Sequence, residues 1–228
     1  MSGKLPRYLA WMVFLVAGSG QAWAGMLTLA ASQTAYVRGG LYADDNFGGG
    51  NLLVKNSGGD KSFLYNSWMQ FDTSSFTNVS SVSLNMNVLG GEAFDIVIRV
   101  YGVDDDSGEF WDESTLTYQN APGRWAILGQ STVTGSTTGS WSEFAFTDNR
   151  LRDFLNADTN GKATLILTAD TVSHQHGVTF APDPVLRLQA QAVPEPSSLA
   201  VISFACLFSS MVFPRYRRQI SLTRLRVF

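Results

Sequence analysis

One cysteine, Cys206, and two histidines, His174 and His176, occur in the 228 residues of this chain. A single thiol excludes an internal disulfide framework and a cysteine-rich zinc site. Charged residues make up 15% of the chain, where about 25% is usual for a soluble domain. No G-x-S-x-G nucleophile elbow is present, and no internal repeat. What is abundant is apolar: the hydrophobic fraction of 45% excludes a disordered chain, and the length suits one to two domains.

That composition is unevenly distributed. Near the N-terminus, Lys4 and Arg7 precede a nine-residue apolar run and the ending Ala22-Trp23-Ala24. A short basic region, an apolar core and an A-x-A ending make residues 1–24 a secretory signal peptide. The run is too short to span roughly 30 Å of hydrocarbon as an anchor. At the other end, Val193-Pro194-Glu195-Pro196 precedes residues 197–213, which carry no charge, and then Arg215, Arg217 and Arg218 in the basic tail 214–228. Seventeen residues at 1.5 Å each give about 26 Å, the short end of a transmembrane helix, with the arginines on its cytoplasmic side. Prolines before the run and arginines after it argue against a buried helix of the domain.

This C-terminal arrangement resembles the PEP-CTERM sorting signal, carried by Pro194-Glu195-Pro196, the span, and Arg215, Arg217 and Arg218. The resemblance implies export in a biofilm-forming Gram-negative bacterium. It also implies membrane anchoring before processing by an exosortase-type protease.

Between the two ends, residues 25–192 form the expected domain. Nine Lys and Arg face 18 Asp and Glu there, so it is far more acidic than the net −3 of the chain. An acidic domain speaks against nucleic acid, whose phosphates require clustered cations. Strand signals dominate. Residues 81–88 alternate with period two, placing Val82, Leu84, Met86 and Val88 on one face. Residues 94–101, 141–146, 163–168 and 185–189 read similarly, and turn-forming stretches stand at 56–60, 90–91 and 135–139. Only residues 148–156 look helical, with Asp148 as N-cap and Leu151, Phe154 and Leu155 on one side. These signals predict an all-β antiparallel sandwich, a jelly roll with one short helix.

The domain resembles the DNRLRE family of jelly-roll carbohydrate-binding modules over nearly all of residues 34–188. Asp148-Asn149-Arg150-Leu151-Arg152 stands in the naming motif, with Asp153 in place of Glu. Ala35-Tyr36-Val37-Arg38, Asn46-Phe47-Gly48 and Leu52-Leu53-Val54-Lys55 fit its first hairpin. Met69-Gln70-Phe71-Asp72 fits a strand ending in Phe-Asp, and residues 111–122 fit its Trp-to-Pro segment. Membership implies glycan binding.

Sequence signals for an enzyme are weak. His174 and His176 lie one residue apart, a spacing that suits either two ligands on one strand face or a solvated loop before Phe180. Cys206 falls in the expected span. Glycosidase carboxylate pairs depend on three-dimensional separation and remain open. The acidic stretch Asp104, Asp105, Asp106 and Glu109 surrounds a glycine, and Asp44 and Asp45 lie in a Gly-rich loop. Calcium takes six to eight oxygen ligands, so both are candidate sites, with a solvated acidic loop as the alternative. For glycans, aromatic faces stack on sugar rings. Trp111 and Trp141 are expected in the core, whereas Tyr42 and Trp125, with Arg124 adjacent, are expected at the surface. The expectation is an exported, non-catalytic protein that binds extracellular polysaccharide at the cell surface or in the matrix. The alternatives are a calcium-stabilised structural surface protein without glycan affinity, and a small polysaccharide lyase or hydrolase.

Overall fold

The computed structural model describes residues 24–103, 109–139, 141, 143–173 and 177–192. In chain order the strands are β1 (Ala24–Ala30), β2 (Gln33–Arg38), β3 (Phe47–Gly48), β4 (Leu52–Val54), β5 (Tyr65–Asp72), β6 (Phe76–Met86), β7 (Val88–Gly91) and β8 (Ile96–Gly102). They continue as β9 (Ala126–Val133), β10 (Phe144–Phe146), β11 (Lys162–Ala169), β12 (Val178–Phe180) and β13 (Val185–Ala192). A single α-helix, α1 (Asn149–Ala157), precedes β11. The strands of all three sheets pair antiparallel with their neighbours. The fold is an antiparallel β-sandwich with one short helix, as the alternation predicts.

One layer is a six-stranded sheet in the order β3-β2-β5-β11-β8-β9. The other is made of two shorter sheets, β1-β13-β6-β10 and β4-β12-β7. These two are joined end to end, because β6 leads into β7 and β12 leads into β13. Pro182 and Pro184 stand at the joint and have no N–H for a ladder. One bond bridges it, from the Ala181 N–H to the Asn87 carbonyl at 3.0 Å. The apolar core lies between the layers, with Met69, Phe71, Leu165 and Leu167 meeting Leu52, Leu84, Phe180 and Leu186.

One sequence expectation is refined at this joint and one corrected. Val88 begins β7 in the next sheet, half-buried, yet packs against the same core as Val82, Leu84 and Met86. Gly90 and Gly91 do not form a turn. They lie in β7 opposite Thr179 and Val178. A Cβ at Gly91 would come 3.1 Å from the Gly177 carbonyl oxygen and 3.2 Å from the Trp141 ring, so the packing there is tight for anything larger than glycine. The strand expected at 141–146 is regular only over Phe144–Phe146.

The helix forms for the reasons legible in its sequence. The Asp148 carboxylate accepts from the Arg150 N–H at 2.8 Å, satisfying one orphan donor of the first turn. Leu151 and Leu155 are buried, each contributing about 1.5–3 kcal/mol of apolar burial, and Phe154 packs against the same core. Arg150 and Arg152 face outward and pair with Asp148 and Asp153.

Candidate functional site

Alternation along β2 sorts its side chains between two faces of the six-stranded sheet. Ala35 and Val37 join Trp68, Ile166 and Leu116 in a second apolar cluster, against which Trp111, Tyr118 and Ala121 pack. Residues 111–121 thus cover the outer face of the sheet. Tyr36 and Arg38 take the opposite face at the β3 edge and are half-buried.

Strand pairing sets what stands beside them. Tyr36 is opposite Phe47, and their rings stack at 4.7 Å with an 18° tilt. Arg38 is opposite Tyr65, whose ring lies 6.0 Å from that of Tyr36. Such cross-strand neighbours hold each other in one orientation. Two single-turn 3₁₀ helices, Gly40–Tyr42 and Lys61–Phe63, complete the group. The Asp60 carboxylate accepts from the Ser62 N–H at 2.9 Å, and the Ser62 hydroxyl accepts from the Leu41 N–H at 3.3 Å. Gly40 has φ of 61°, and a Cβ there would fall 2.3 Å from the Ser62 Oγ. Only glycine lets these two turns meet.

Their meeting brings three rings around one guanidinium. Arg38 Cζ lies 3.4 Å from the Tyr42 ring centroid, 5.2 Å from that of Tyr65 and 5.4 Å from that of Phe63. Arg38 Nε donates to the Ser62 carbonyl at 2.6 Å. Among the described residues its Nη1 and Nη2 donate to nothing. Lys55 Nζ stands 5.4 Å from the other contact of this ring system, Phe63. Tyr42 is 36% exposed, Phe63 44% and Leu41 90%. Burial raises the Tyr36 phenol above its ordinary pKa, with Tyr65 adding and Arg38 opposing, so the phenol stays neutral at physiological pH. The patch therefore carries pinned positive charge in an acidic domain. Exposed rings and a fixed fork of donors complement a molecule with a flat apolar face and a rim of oxygen atoms.

The residues expected from sequence are dispersed. Tyr42 belongs to this cluster. Arg124 and Trp125 do not: they precede β9, the opposite edge strand of the same sheet. There Arg124 lies over the Tyr101 ring at 5.1 Å, and Trp125 is 61% exposed beside the exposed Ile127. Trp111 and Trp141 are half-buried against the two apolar clusters. Asp44 and Asp45 are exposed in the connection between Tyr42 and β3. Glu109 is buried instead. Its carboxylate accepts from the Thr164 N–H at 2.8 Å and from Asn160 Nδ2 at 2.9 Å. That N–H lies beyond the last β8 partner of β11, so Glu109 replaces a strand there.

Asp104, Asp105 and Asp106 lie outside the described residues, as do His174, His176 and Cys206. So do residues 1–23 of the expected signal peptide and the whole sorting segment, with Val193, Pro194, Glu195, Pro196, Arg215, Arg217 and Arg218. Among the described residues no three His, Cys, Asp or Glu side chains could hold a metal together, and no helix is long and apolar enough to cross a membrane. Sequence reading did not place Tyr36, Arg38, Phe47 and Phe63 in a site. The available signal was the alternation that sets Tyr36 and Arg38 opposite the apolar Ala35 and Val37.

Among solved structures, the chain is similar to a latent aurone synthase, a polyphenol oxidase, at 12% identity and a TM-score of 0.35. That match covers 57% of this chain and 25% of the enzyme, so this chain spans about a quarter of that protein's length. It is also similar to the CBM36-1 domain of a multidomain xylanase from the hindgut metagenome of Trinervitermes trinervoides, at 12% identity and a TM-score of 0.33, covering 72% of this chain and 96% of that one. A third is the C-terminal CBM6 of LamC, a marine laminarinase from Zobellia galactanivorans, at 14% identity and a TM-score of 0.31, covering 72% and 99%. No curated protein sequence matches the chain. The sequence profile of carbohydrate-binding module family 96 matches residues 26–189. The chain, matched from β1 to β13 by that profile, belongs to carbohydrate-binding module family 96.

Proposed function

We propose that this chain is an exported, non-catalytic protein that binds extracellular polysaccharide through the Arg38-centred aromatic cluster. The observation that carries the reading is the guanidinium held 3.4 Å over the Tyr42 ring, with Tyr65 and Phe63 around it and its terminal nitrogens directed to no partner among the described residues. Stacking supplies apolar contact to a sugar face, and the guanidinium supplies charge-assisted donors to its oxygens. Family membership supports a carbohydrate as ligand. The DNRLRE-like segments coincide with this architecture: two of the first-hairpin segments contribute Tyr36, Arg38 and Phe47.

Export and retention at the envelope rest on the sequence pattern of residues 1–24 and 193–228. In this reading an exosortase-type protease acts on the PEP-CTERM-like segment of a Gram-negative bacterium. The experiment is affinity electrophoresis of the purified chain through gels containing laminarin, xylan or pectate, with each polymer sized afterwards. Retardation by at least one polymer without shortening is expected. Shortened polymer would contradict the non-catalytic reading, and unretarded migration across a broad panel would contradict binding.

A further inference from the structure

Two adjoining clefts open at the other end of β5, on the outer face of the six-stranded sheet. One has a volume of about 410 Å³ and is lined by Phe110, Trp111, Asp112, Asn120 and Lys162. The other, about 440 Å³, is lined by Gln33, Gln70, Asp72, Asn160 and Lys162. Each is within the roughly 300–1,000 Å³ usual for small-ligand sites. Lys162 is the wall they share.

Its surroundings are unusual for a surface lysine. Lys162 Nζ stands 5.1 Å from the Phe110 ring centroid; Asp72 lies opposite it across the ladder and feels its charge, but among the described residues the ammonium makes no ion pair within 4 Å. Phe110 is 68% exposed, so a phenyl face and an ammonium both meet solvent at the cleft. The floor is built of buried polar groups. Gln70 Nε2 donates to the Glu109 carbonyl at 2.6 Å and to Thr164 Oγ1 at 3.3 Å, and Trp111 Nε1 donates to the same hydroxyl at 3.2 Å. Asp112, exposed at the cleft, accepts through Oδ1 from the Ser114 N–H and hydroxyl, which hold its carboxyl below the ordinary carboxylate pKa. An apolar ring face, a cation and an anionic oxygen around a rigid polar floor fit a hydroxyl-rich saccharide unit.

The position of this cleft relative to the first cluster decides its consequence. Tyr65 belongs to the Arg38 cluster and Asp72 lines the cleft; seven rises of about 3.3 Å along β5 separate them by about 23 Å. Tyr65 and Asp72 differ by an odd number of residues, so they stand on opposite faces of the sheet. One sugar unit cannot touch both places.

We propose that the Phe110–Lys162 cleft is a second saccharide site, and that the domain is bivalent and joins two polysaccharide strands. This rests on the carbohydrate reading above. Residues 25–192 contain three lysines, Lys55, Lys61 and Lys162. Lys61 belongs to the turn that carries Phe63, and Lys162 belongs to the cleft. Acetic anhydride labelling of the purified full chain, read by mass spectrometry, therefore reports each site separately. The labelling would be done with and without a saturating polymer that retards the protein in gels.

Shielding of both Lys61 and Lys162 by several-fold is expected. Light scattering of the polymer should rise with added protein, and Lys162→Ala and Phe110→Ala should each abolish that rise while gel retardation persists. Shielding of Lys61 alone, with light scattering unchanged in Lys162→Ala, would overturn the second site and leave the first reading standing. Shielding of Lys162 alone would instead remove the Arg38 cluster and the bivalency together. Absence of any retarding polymer would overturn both.

Discussion

The two faces of β2 and β5 carry similar side chains and put them to different uses. On the outer face Trp68 sits with Ala35, Val37 and Ile166 under residues 111–121, and it is 5% exposed. On the other face, at the β3 edge, Tyr36, Tyr65 and Phe47 have no such cover, and Tyr42 and Phe63 add exposed rings around a cation. The difference teaches that aromatic content does not mark a binding surface in this domain. In the proposed reading a surface is marked where rings stay uncovered around a charge whose terminal nitrogens have no partner among the described residues. The covered face converts its rings into folding free energy, and the open edge leaves them partly exposed for the proposed ligand contact.

Substitutions can sharpen that division. The largest expected effect is on the covered face: Trp68→Ala removes a buried indole and its bond to the Pro122 carbonyl. It should cost about 3–5 kcal/mol, measured by denaturant unfolding, with unchanged affinity per folded molecule. Next is Arg38→Ala, expected to lower polysaccharide affinity at least tenfold, about 1.4 kcal/mol. Its unfolding free energy should change by about 1 kcal/mol or less, since the cation–π contacts are partly exposed. A reversed pattern, with unfolding affected and affinity retained, would make Arg38 a structural residue. Tyr42→Ala should weaken binding severalfold with little effect on melting. Trp125→Ala, at the opposite edge, should leave affinity unchanged and alter stability by no more than about 0.5 kcal/mol.

The smallest effect is with acid. Hydrogen bonds from Ser74, Ser114 and Arg150 hold the carboxyls of Asp72, Asp112 and Asp148 below their ordinary value. Groups with lowered folded-state pKa contribute stability above the unfolded value, near 3.8, and lose it as pH falls through the folded values. Melting temperature should therefore hold steady from pH 7 to about 5 and decline below about 4. Asp148→Ala should flatten part of that decline.

Much of the fold was legible in the sequence because it depends on local pattern. Val82, Leu84 and Met86 alternate into the core, and Asp148 with Leu151 and Leu155 specifies the helix. The break at Asn87 was not legible there, because the prolines at the joint, Pro182 and Pro184, lie 95 and 97 residues further along the chain. Gly91 likewise reads as a turn until Trp141 is seen over it. For the proposed site, Tyr42 was singled out from its polar, turn-rich setting. Arg38 was missed because its meaning comes from convergence: β2, β5 and two turns at 40–42 and 61–63 meet only in three dimensions. Trp125 reads from its setting much as Tyr42 does, and only strand order separates their edges.

The most direct test runs wild type, Arg38→Ala and Trp125→Ala side by side through one gel containing a retarding polysaccharide and one without. Wild type and Trp125→Ala should be slowed equally by the polymer, while Arg38→Ala should be slowed clearly less, keeping only the retardation that the Phe110–Lys162 cleft supplies. Equal retardation of all three, or loss of retardation in Trp125→Ala alone, would contradict the assignment of binding to the Arg38 cluster.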